Sequence, residues 1–287
     1  MTLIEKLQNI TEIHDGFIID LWGVIHDGVF VYPGAVDCIN HLILSNKVVV
    51  FMSNAPRPRE IVLDKLLSLQ IKATPEMILT SGDIVRRIFD KKGDSPFGKK
   101  YYHLGSKRNT DLLSGITIKL VEDIMEADIL LLTAYMDQDE DLEQHDTLLK
   151  KAAILKIPAI CANPDKVVTN GSKERYCAGV LAEKYEFFGG KVYYYGKPHL
   201  DIYNTALQYF QDKGISNRKR IVMIGDTLET DIQGAVNANI DSVLVLTGNM
   251  DRLLKSAKFN QLVQTDALEK IFLEQQLYPT YILETLR

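Results

Sequence analysis

Short runs of β-branched and other apolar residues alternate along this chain with segments in which apolar residues recur every three or four positions. Runs of the first kind predict strands, and segments of the second kind predict amphipathic helices. The predicted strands outside the middle of the chain span residues 17–20, 47–53, 192–195, 220–224 and 242–246, and the predicted helices span residues 35–45, 59–69 and 200–210. Because this alternation is typical of parallel βαβ units, we expect these outer segments to form one sheet.

The segment from residue 47 to residue 53 is apolar at almost every position (KVVVFMS). A strand with one face in water would alternate apolar and polar residues, so this run predicts a central strand that is buried on both faces. At the end of the chain, residues 251–287 begin with a helical pattern. The apolar run at residues 278–283 predicts a last strand at the edge of the sheet.

Between these outer segments, residues 82–190 carry a pattern of strands and helices of their own. The predicted strands are residues 100–104, 128–132 and 158–162, and the predicted helices are residues 142–155 and 178–185. This block is too long and too regular for a loop, and it is long enough for a small domain. We therefore predict a core of residues 1–81 and 191–287, with a second domain of residues 82–190 inserted into it.

The composition is that of a globular protein. The chain has 287 residues, of which 46% are hydrophobic and 25% are charged, so disordered and collagen-like classes are excluded. The net charge of −5 and the lack of a dense Lys/Arg run indicate no nucleic-acid partner. No apolar run approaches the ~20 residues of a membrane helix, so we expect no membrane partner.

The cysteine pattern and the N-terminal residues are typical of a cytoplasmic protein. Cys38, Cys161 and Cys177 are scattered and form no CxxC pair, which suggests neither a disulfide framework nor a zinc site. Residues 1–16 mix charged with apolar residues and lack the apolar segment of a signal peptide. We therefore expect reduced thiols and a cytoplasmic location.

Aspartates follow two of the predicted strands. Asp20 ends the first strand, Asp226 follows the strand at residues 220–224, and Asp231 comes five residues later. In open α/β sheets, ligands bind at the carboxyl ends of the strands. One aspartate there can attack phosphorus, and a pair of carboxylates can hold a divalent cation. Each residue alone has an ordinary alternative as a helix cap or turn former.

Three polar residues at similar positions can bind an anion. Ser53 and Asn54 end the second strand, and their hydroxyl and amide groups can bind phosphate oxygens. Lys197 offers a positive charge beside Gly196, which lets the backbone approach a ligand. Taken singly, these are a common strand-to-loop sequence and a solvated lysine. Their order along the chain is more informative.

That order resembles the four motifs of the haloacid dehalogenase superfamily of phosphatases. The superfamily has an Asp-x-Asp start, a Ser or Thr after the second strand, a lysine and a late acidic pair. This chain supplies Asp20, Ser53, Lys197, Asp226 and Asp231 in the same order. The resemblance implies an α/β fold with a Rossmann-like, three-layer core around a parallel sheet.

Further motifs resemble the class IIA branch, which carries a C2-type cap. Residues 23–27 (GVIHD) followed by residues 33–35 (PGA) are close to the pattern of that branch after its nucleophile. Asn163-Pro164-Asp165 resembles its cap loop, and residues 196–198 (GKP) resemble its lysine motif. The resemblance implies that residues 82–190 are an inserted α/β C2 cap, and that Asn163 and Asp165 help to bind the substrate.

The resemblance also implies a mechanism. Asp20 would attack the phosphorus and form an aspartyl-phosphate that water hydrolyses. The implied cofactor is Mg²⁺, held by the carboxylates of Asp20 and Asp226 and the backbone carbonyl of Trp22, while Asp231 would hold a metal-bound water or the lysine. The implied phosphate ligands, which would stabilise the transition state, are Ser53, Asn54 and Lys197.

Trp22 departs from the pattern of the superfamily, since it stands where the second aspartate is expected. An indole N–H does not ionise at working pH, so Trp22 cannot be the general acid or base. The enzyme is then slow, acts on good leaving groups, or uses another residue such as His26 or Asp27. The plainer interpretation of Trp22 is a bulky ring packed at the substrate entrance or against the cap.

Two functions remain open from the sequence. The first is a Mg²⁺-dependent hydrolase of small phosphorylated metabolites, such as sugar phosphates or nucleotides. The second is a catalytically weak or silent homologue that binds a phosphorylated ligand or partner through the same pocket. The acidic residues and Lys197 favour the first, whereas Trp22 favours the second. The resemblance also allows a homodimer.

Overall fold

The computed structural model of the protein describes residues 1–90, 95–137, 141–171, 173–256, 258 and 263–287. The strands in chain order are β1 (Thr2–Ile4), β2 (Gly16–Asp20), β3 (Val48–Ser53), β4 (Ile78–Thr80), β5 (Lys100–Gly105), β6 (Lys119–Val121), β7 (Ile129–Thr133), β8 (Tyr135–Asp137), β9 (Ala159–Cys161), β10 (Val167–Asn170), β11 (Lys173–Cys177), β12 (Val192–Tyr194), β13 (Ile221–Gly225), β14 (Asp241–Val245) and β15 (Tyr281–Leu283). The α-helices are α1 (Ala35–Leu44), α2 (Arg59–Ser68), α3 (Ser81–Phe89), α4 (Asp146–Ile154), α5 (Ala178–Phe187), α6 (Leu200–Asp212), α7 (Gln233–Ala238), α8 (Gly248–Lys255) and α9 (Gln264–Gln275).

The larger sheet is parallel and has seven strands in the order β1-β15-β14-β13-β2-β3-β4. All five residues of β2 are buried, because helices cover both faces of the sheet. Phe17 and Ile19 pack with α1 and α2 on one face, and Ile18 packs with α6 and α7 on the other. The predicted α/β class with a three-layer core is therefore confirmed.

The C-terminal strand β15 lies inside the larger sheet and not at its edge, where the sequence predicts it. β15 pairs with β14 on one side and with β1 on the other, so the edge strand is the N-terminal β1 and not the run at residues 278–283. Residues 2–4 are too few to give a clear alternation of apolar and polar positions, which is why the pattern did not reveal β1. The two ends of the chain thus pair with each other.

A second, parallel sheet has the order β12-β9-β7-β5-β6, and a three-stranded antiparallel sheet has the order β10-β11-β8. The sequence prediction placed β12 in the larger sheet, but Val192 pairs with Ala159 of β9. An apolar strand pattern cannot show which of two parallel sheets a strand joins. Because β12 pairs with β9, we extend the inserted segment to residue 194 and call residues 82–194 the insert. We propose that the insert and the rest of the chain are separate domains.

The helices in the described part of the chain are short. The longest, α6, has 13 residues. None of the described helices combines the length and the apolar character that are needed to cross a membrane.

Candidate active site

The candidate site lies where the central strands of the larger sheet end. Asp20 is the last residue of β2, which runs between β13 and β3. Ser53 ends β3, and Asp226 directly follows β13. Because parallel strands end at the same edge of a sheet, residues from distant parts of the sequence meet there.

Lys197 connects two of the acidic residues. Its Nζ lies 2.5 Å from Asp20 Oδ1 and 2.7 Å from Asp231 Oδ1. All three side chains are almost fully shielded from solvent. Gly196 makes the approach possible, since it has a φ of +117° and a Cβ there would lie 2.5 Å from Asn54 Oδ1. The lysine motif therefore places an ammonium group inside the acidic cluster.

Asp226 and Asp231 are fixed by the turn that follows β13. Residues 228–232 form one π-helical turn, which brings Asp231 back toward the strand end. The Thr227 backbone N–H donates to Asp231 Oδ2 at 3.1 Å, and the Thr227 hydroxyl donates to Asp226 Oδ1 at 3.0 Å. The Asn249 backbone N–H donates to Asp226 Oδ2 at 2.6 Å. These bonds orient both carboxylates before any ligand binds.

The charges in this cluster do not balance. Burial raises the pKa of Asp20 well above its usual value and, together with the charge of Asp231, raises the pKa of Asp226 to about 7. Burial alone would lower the pKa of Lys197, but the carboxylates of Asp20 and Asp231 raise it well above its ordinary value. One ammonium thus faces three carboxylates, which leaves an excess of negative charge when all are ionised.

The same three carboxylates fit a divalent cation. Asp20, Asp226 and Asp231 offer oxygen atoms that all lie within 4.8 Å of one another. Buried carboxylate oxygens with uncompensated charge are the donors that Mg²⁺ binds in proteins. The residues present therefore fit the predicted cofactor. The side chain of Trp22 points elsewhere, so its part in the predicted metal site rests on its backbone carbonyl alone.

Ser53 and Asn54 lie at this edge of the sheet, as the sequence predicts, but their side chains already have partners. Ser53 Oγ accepts a hydrogen bond from the Ala55 backbone N–H at 3.1 Å. Asn54 Nδ2 donates to Asp165 Oδ1 at 2.9 Å and to the Lys197 carbonyl at 3.1 Å, and Asn54 Oδ1 accepts from the Lys197 N–H at 2.7 Å. In this arrangement the Asn54 amide holds the side chain of Asp165 and the backbone of Lys197 in place.

Asn163 and Asp165 lie in the loop after β9, in the insert. Asn163 is buried, and its Oδ1 accepts from the Asp165 backbone N–H at 3.1 Å. Burial raises the pKa of Asp165 above its usual value. Since Asp165 bonds to Asn54, this loop is tied directly to the core beside Lys197. The structure thus places Asp165 beside Asn54, the partner of Lys197, while Asn163 accepts from the backbone of Asp165.

Trp22 is half-buried and turns toward the insert. Its Nε1–H donates to the backbone carbonyl of Thr169 in β10. Its ring meets that of His26 edge-on, with centroids 5.2 Å apart. Burial lowers the pKa of His26 to about 4, so this imidazole is neutral at physiological pH. Neither residue therefore presents an acidic proton for transfer near neutral pH.

Two residues of the site escaped the sequence analysis. Ser81, at the start of α3, has its hydroxyl oxygen within hydrogen-bonding distance of the carbonyls of Asn54 at 2.8 Å and Ala162 at 2.5 Å, which joins the core to the insert. Asn249 holds Asp226, and it follows β14. The position of Asn249 just beyond a predicted parallel strand was a signal that could have identified it.

A cleft of about 470 Å³ lies between the insert and the core and reaches Asp226. It is lined by residues of both parts and most of its charged groups are acidic. The lining includes Asp165, Glu183, Tyr194, Glu229 and Arg252. The cleft gives small molecules access to Asp226, at one side of the acidic cluster.

Comparison with known families now identifies the chain. The family described as haloacid dehalogenase-like hydrolase matches residues 17–119, and the family described as HAD-hydrolase-like matches residues 194–286. The chain belongs to the haloacid dehalogenase-like hydrolases. Its two matched regions contain Asp20, Ser53, Lys197, Asp226 and Asp231, so the resemblance seen in the motifs is confirmed.

Several relatives of this hydrolase are known. An acid sugar phosphatase of Staphylococcus haemolyticus is 26% identical over 243 residues, which cover 82% of this chain and 86% of the relative. A 4-nitrophenylphosphatase of Schizosaccharomyces pombe is 26% identical over 257 residues, which cover 82% and 84% of the two chains. The crystal structure of a haloacid dehalogenase-like hydrolase of Brucella suis is 28% identical and superposes with a TM-score of 0.81 over 99% of this chain and 100% of that one.

Proposed function

We propose that this hydrolase is a Mg²⁺-dependent phosphatase of small phosphorylated metabolites, such as sugar phosphates or nucleotides. The observation that carries the proposal is the contact of Asp20 with Lys197 beside Asp226 and Asp231. A site that only bound phosphate would need no carboxylate at the centre, because a carboxylate repels the ligand. The names of the relatives, an acid sugar phosphatase and a 4-nitrophenylphosphatase, support the same reaction.

In the proposed reaction, Asp20 attacks the phosphorus while the bond from phosphorus to the leaving oxygen breaks, which gives an aspartyl-phosphate. Lys197 favours the ionised form of Asp20 that attacks, since its positive charge opposes the burial that raises the pKa of Asp20. Lys197 and Ser53 are proposed to stabilise the phosphate oxygens, and Asn54 to orient Lys197. Water then hydrolyses the aspartyl-phosphate and regenerates Asp20.

The proposed metal ligands are Asp20, Asp226 and the backbone carbonyl of Trp22, with Asp231 holding a metal-bound water or Lys197. When bound, Mg²⁺ neutralises the negative charge that otherwise keeps phosphate and carboxylate apart. Residues 82–194, acting as a C2-type cap, are proposed to exclude water and to select the leaving group through the loop that carries Asn163 and Asp165. A homodimer and a cytoplasmic location also remain proposals.

Protonation of the leaving group distinguishes this protein from the pattern of its family. The leaving oxygen needs a proton unless it is a stable anion, and Trp22 does not supply one because its N–H is bonded to Thr169 and does not ionise. We therefore propose that esters of acidic alcohols, such as aryl phosphates, are hydrolysed fastest. A positioned acid typically contributes about 10²–10⁴-fold, which sets the scale of the expected difference.

The alternative is a homologue that binds a phosphorylated ligand without hydrolysing it, and Trp22 is the observation that favours it. Steady-state hydrolysis of p-nitrophenyl phosphate and of glucose 6-phosphate, each with Mg²⁺, separates the two functions. We expect a much higher rate with the aryl ester. Binding of inorganic phosphate with no turnover of either ester would establish the alternative, and equal rates would show that another residue donates the proton.

A further inference from the structure

The loop that follows Asp20 is ordered by its own side chains. We call residues 22–31 the Trp22 loop. Asp27 Oδ1 accepts hydrogen bonds from the backbone N–H groups of Val29 at 2.9 Å and Phe30 at 2.8 Å. The ring of Trp22 lies over Gly28, where a Cβ would come within 2.6 Å of the indole. The indole therefore has a fixed place in the loop.

Among the described residues, two hydrogen bonds connect the Trp22 loop to the hairpin formed by β10 and β11 in the insert. Trp22 Nε1–H donates to the Thr169 carbonyl, and in the opposite direction the Gly171 backbone N–H donates to the Asp27 carbonyl at 3.2 Å. An ion pair between Arg252 of α8 and Glu174 of β11, at 3.3 Å, joins the other strand of the hairpin to the core. The hairpin is thus held from both sides.

We propose that Trp22 is a positioning residue that holds the β10–β11 hairpin against the loop that follows Asp20. The indole N–H lies only two positions after Asp20 in the sequence, and its partner is a backbone carbonyl that no side-chain change in the hairpin removes. At the position where the family places a proton-donating carboxyl, this chain places a contact between core and insert. The effect of Trp22 on catalysis rests on the proposed phosphatase function, whereas its role in holding the hairpin does not.

The docking of the hairpin can be measured without any activity. The Gly171 backbone N–H donates to the Asp27 carbonyl in the Trp22 loop. The rate of hydrogen exchange at this amide therefore reports how often the contact opens. Trp22→Phe keeps an aromatic ring and removes the N–H together with the five-membered ring of the indole. Because one neutral hydrogen bond contributes modestly to a folding equilibrium, we expect the Gly171 amide of the metal-free protein to exchange about five-fold faster.

Tyr135→Phe is the matched control. It also removes one hydrogen-bonding group from an aromatic ring at this hairpin, since Asn170 Nδ2 donates to the Tyr135 hydroxyl at 2.6 Å, but that bond lies within the insert. Exchange of the Gly171 amide should be the same in this variant as in the unaltered protein. Unchanged exchange in Trp22→Phe, or an equal increase in both variants, would overturn the proposal.

Kinetics with p-nitrophenyl phosphate test the consequence for catalysis. If substrate binds only when the hairpin is docked, a smaller docked population raises KM by no more than the same five-fold factor and leaves kcat nearly unchanged. A fall in kcat beyond tenfold at constant KM would show that Trp22 acts in the chemical step and would overturn the positioning role. If the unaltered protein hydrolyses no ester while the exchange result holds, the proposed function fails and the positioning role stands.

Discussion

The ammonium of Lys197 lies 2.5 Å from the carboxylate of Asp20, and solvent reaches 3% of one side chain and 7% of the other. A buried ion pair of this kind is costly to form, and it is also costly to leave half-formed. Lys197 stabilises the charge that Asp20 needs for attack, and Asp20 and Asp231 together stabilise the charge of Lys197. The stability of the site and its proposed chemistry therefore depend on the same contact.

The first prediction concerns Lys197, whose contact with Asp20 does not involve Trp22. Lys197→Met should lower the free energy of unfolding by about 3–5 kcal/mol, because it leaves the carboxylates of Asp20 and Asp231 buried without their partner. It should also lower the rate of ester hydrolysis by at least about 10²-fold, since a charge that stabilises the transition state is lost. Urea unfolding and steady-state kinetics measure the two effects.

Lys255→Met is the control for this change, because it removes an exposed Lys–Asp pair of α8. Pairs of that kind contribute about 0–1 kcal/mol. If both variants unfold at the same urea concentration, the buried pair contributes no more to the free energy of unfolding than the exposed pair.

The second prediction tests the nucleophile. Asp20→Asn keeps the shape of the side chain but removes the charge and the attacking oxygen, so turnover of p-nitrophenyl phosphate should disappear. Asp27→Asn is a matched change seven residues later, because an amide oxygen can still accept the hydrogen bonds from Val29 and Phe30. That variant should retain hydrolysis. Persistent turnover in Asp20→Asn would mean that another residue attacks the phosphorus.

The sequence predicted the buried strands of the larger sheet well, and the reason is physical. β2, β3, β13 and β14 are covered by helices on both faces, so nearly every position is apolar and the strands are easy to recognise. Strand pairing is a different matter. β12 has a clear apolar pattern, but only its contact with β9 assigns it to the second sheet.

The candidate site was predictable to the extent that its residues end strands. Asp20, Ser53 and Asp226 all follow this rule, and the parallel sheet brings them together. Contacts across the two parts of the chain were not predictable. The indole of Trp22 bonds to a carbonyl 147 residues away, and backbone carbonyls carry no sequence signal. The backbone partners of the Asn54 amide, which are the carbonyl and the N–H of Lys197, escaped prediction because backbone groups carry no sequence signal.

The third prediction concerns the affinity for Mg²⁺. In the metal-free protein the pKa of Asp226 is raised to about 7, mainly by burial, so below pH 7 this carboxyl carries a proton that Mg²⁺ must displace. The apparent Kd for Mg²⁺ should therefore fall as the pH rises to about 7, by roughly tenfold per pH unit for one displaced proton. The raised pKa of Asp20 acts in the same direction.

Calorimetric titration with Mg²⁺ at pH 5.5, 6.5 and 8 measures this dependence. Asp226→Asn should bind Mg²⁺ more weakly and lose the part of the pH dependence that comes from Asp226. A Kd that is the same at pH 5.5 and pH 8 would contradict the assignment of Asp226 as a ligand that is protonated in the metal-free site.

The last prediction separates proton donation from the contact between Trp22 and the hairpin. Trp22→Asp and Trp22→Asn both lose the indole and its bond to the Thr169 carbonyl, but only the first gains an ionisable carboxyl. The ratio of their kcat values therefore isolates proton transfer. For glucose 6-phosphate, whose alkoxide leaving group needs a proton, we expect the Asp variant to be faster by up to about 10²–10⁴-fold. For p-nitrophenyl phosphate the ratio should stay near one, since nitrophenolate leaves without a proton. A ratio near one for both esters would show that the missing carboxyl does not limit this enzyme.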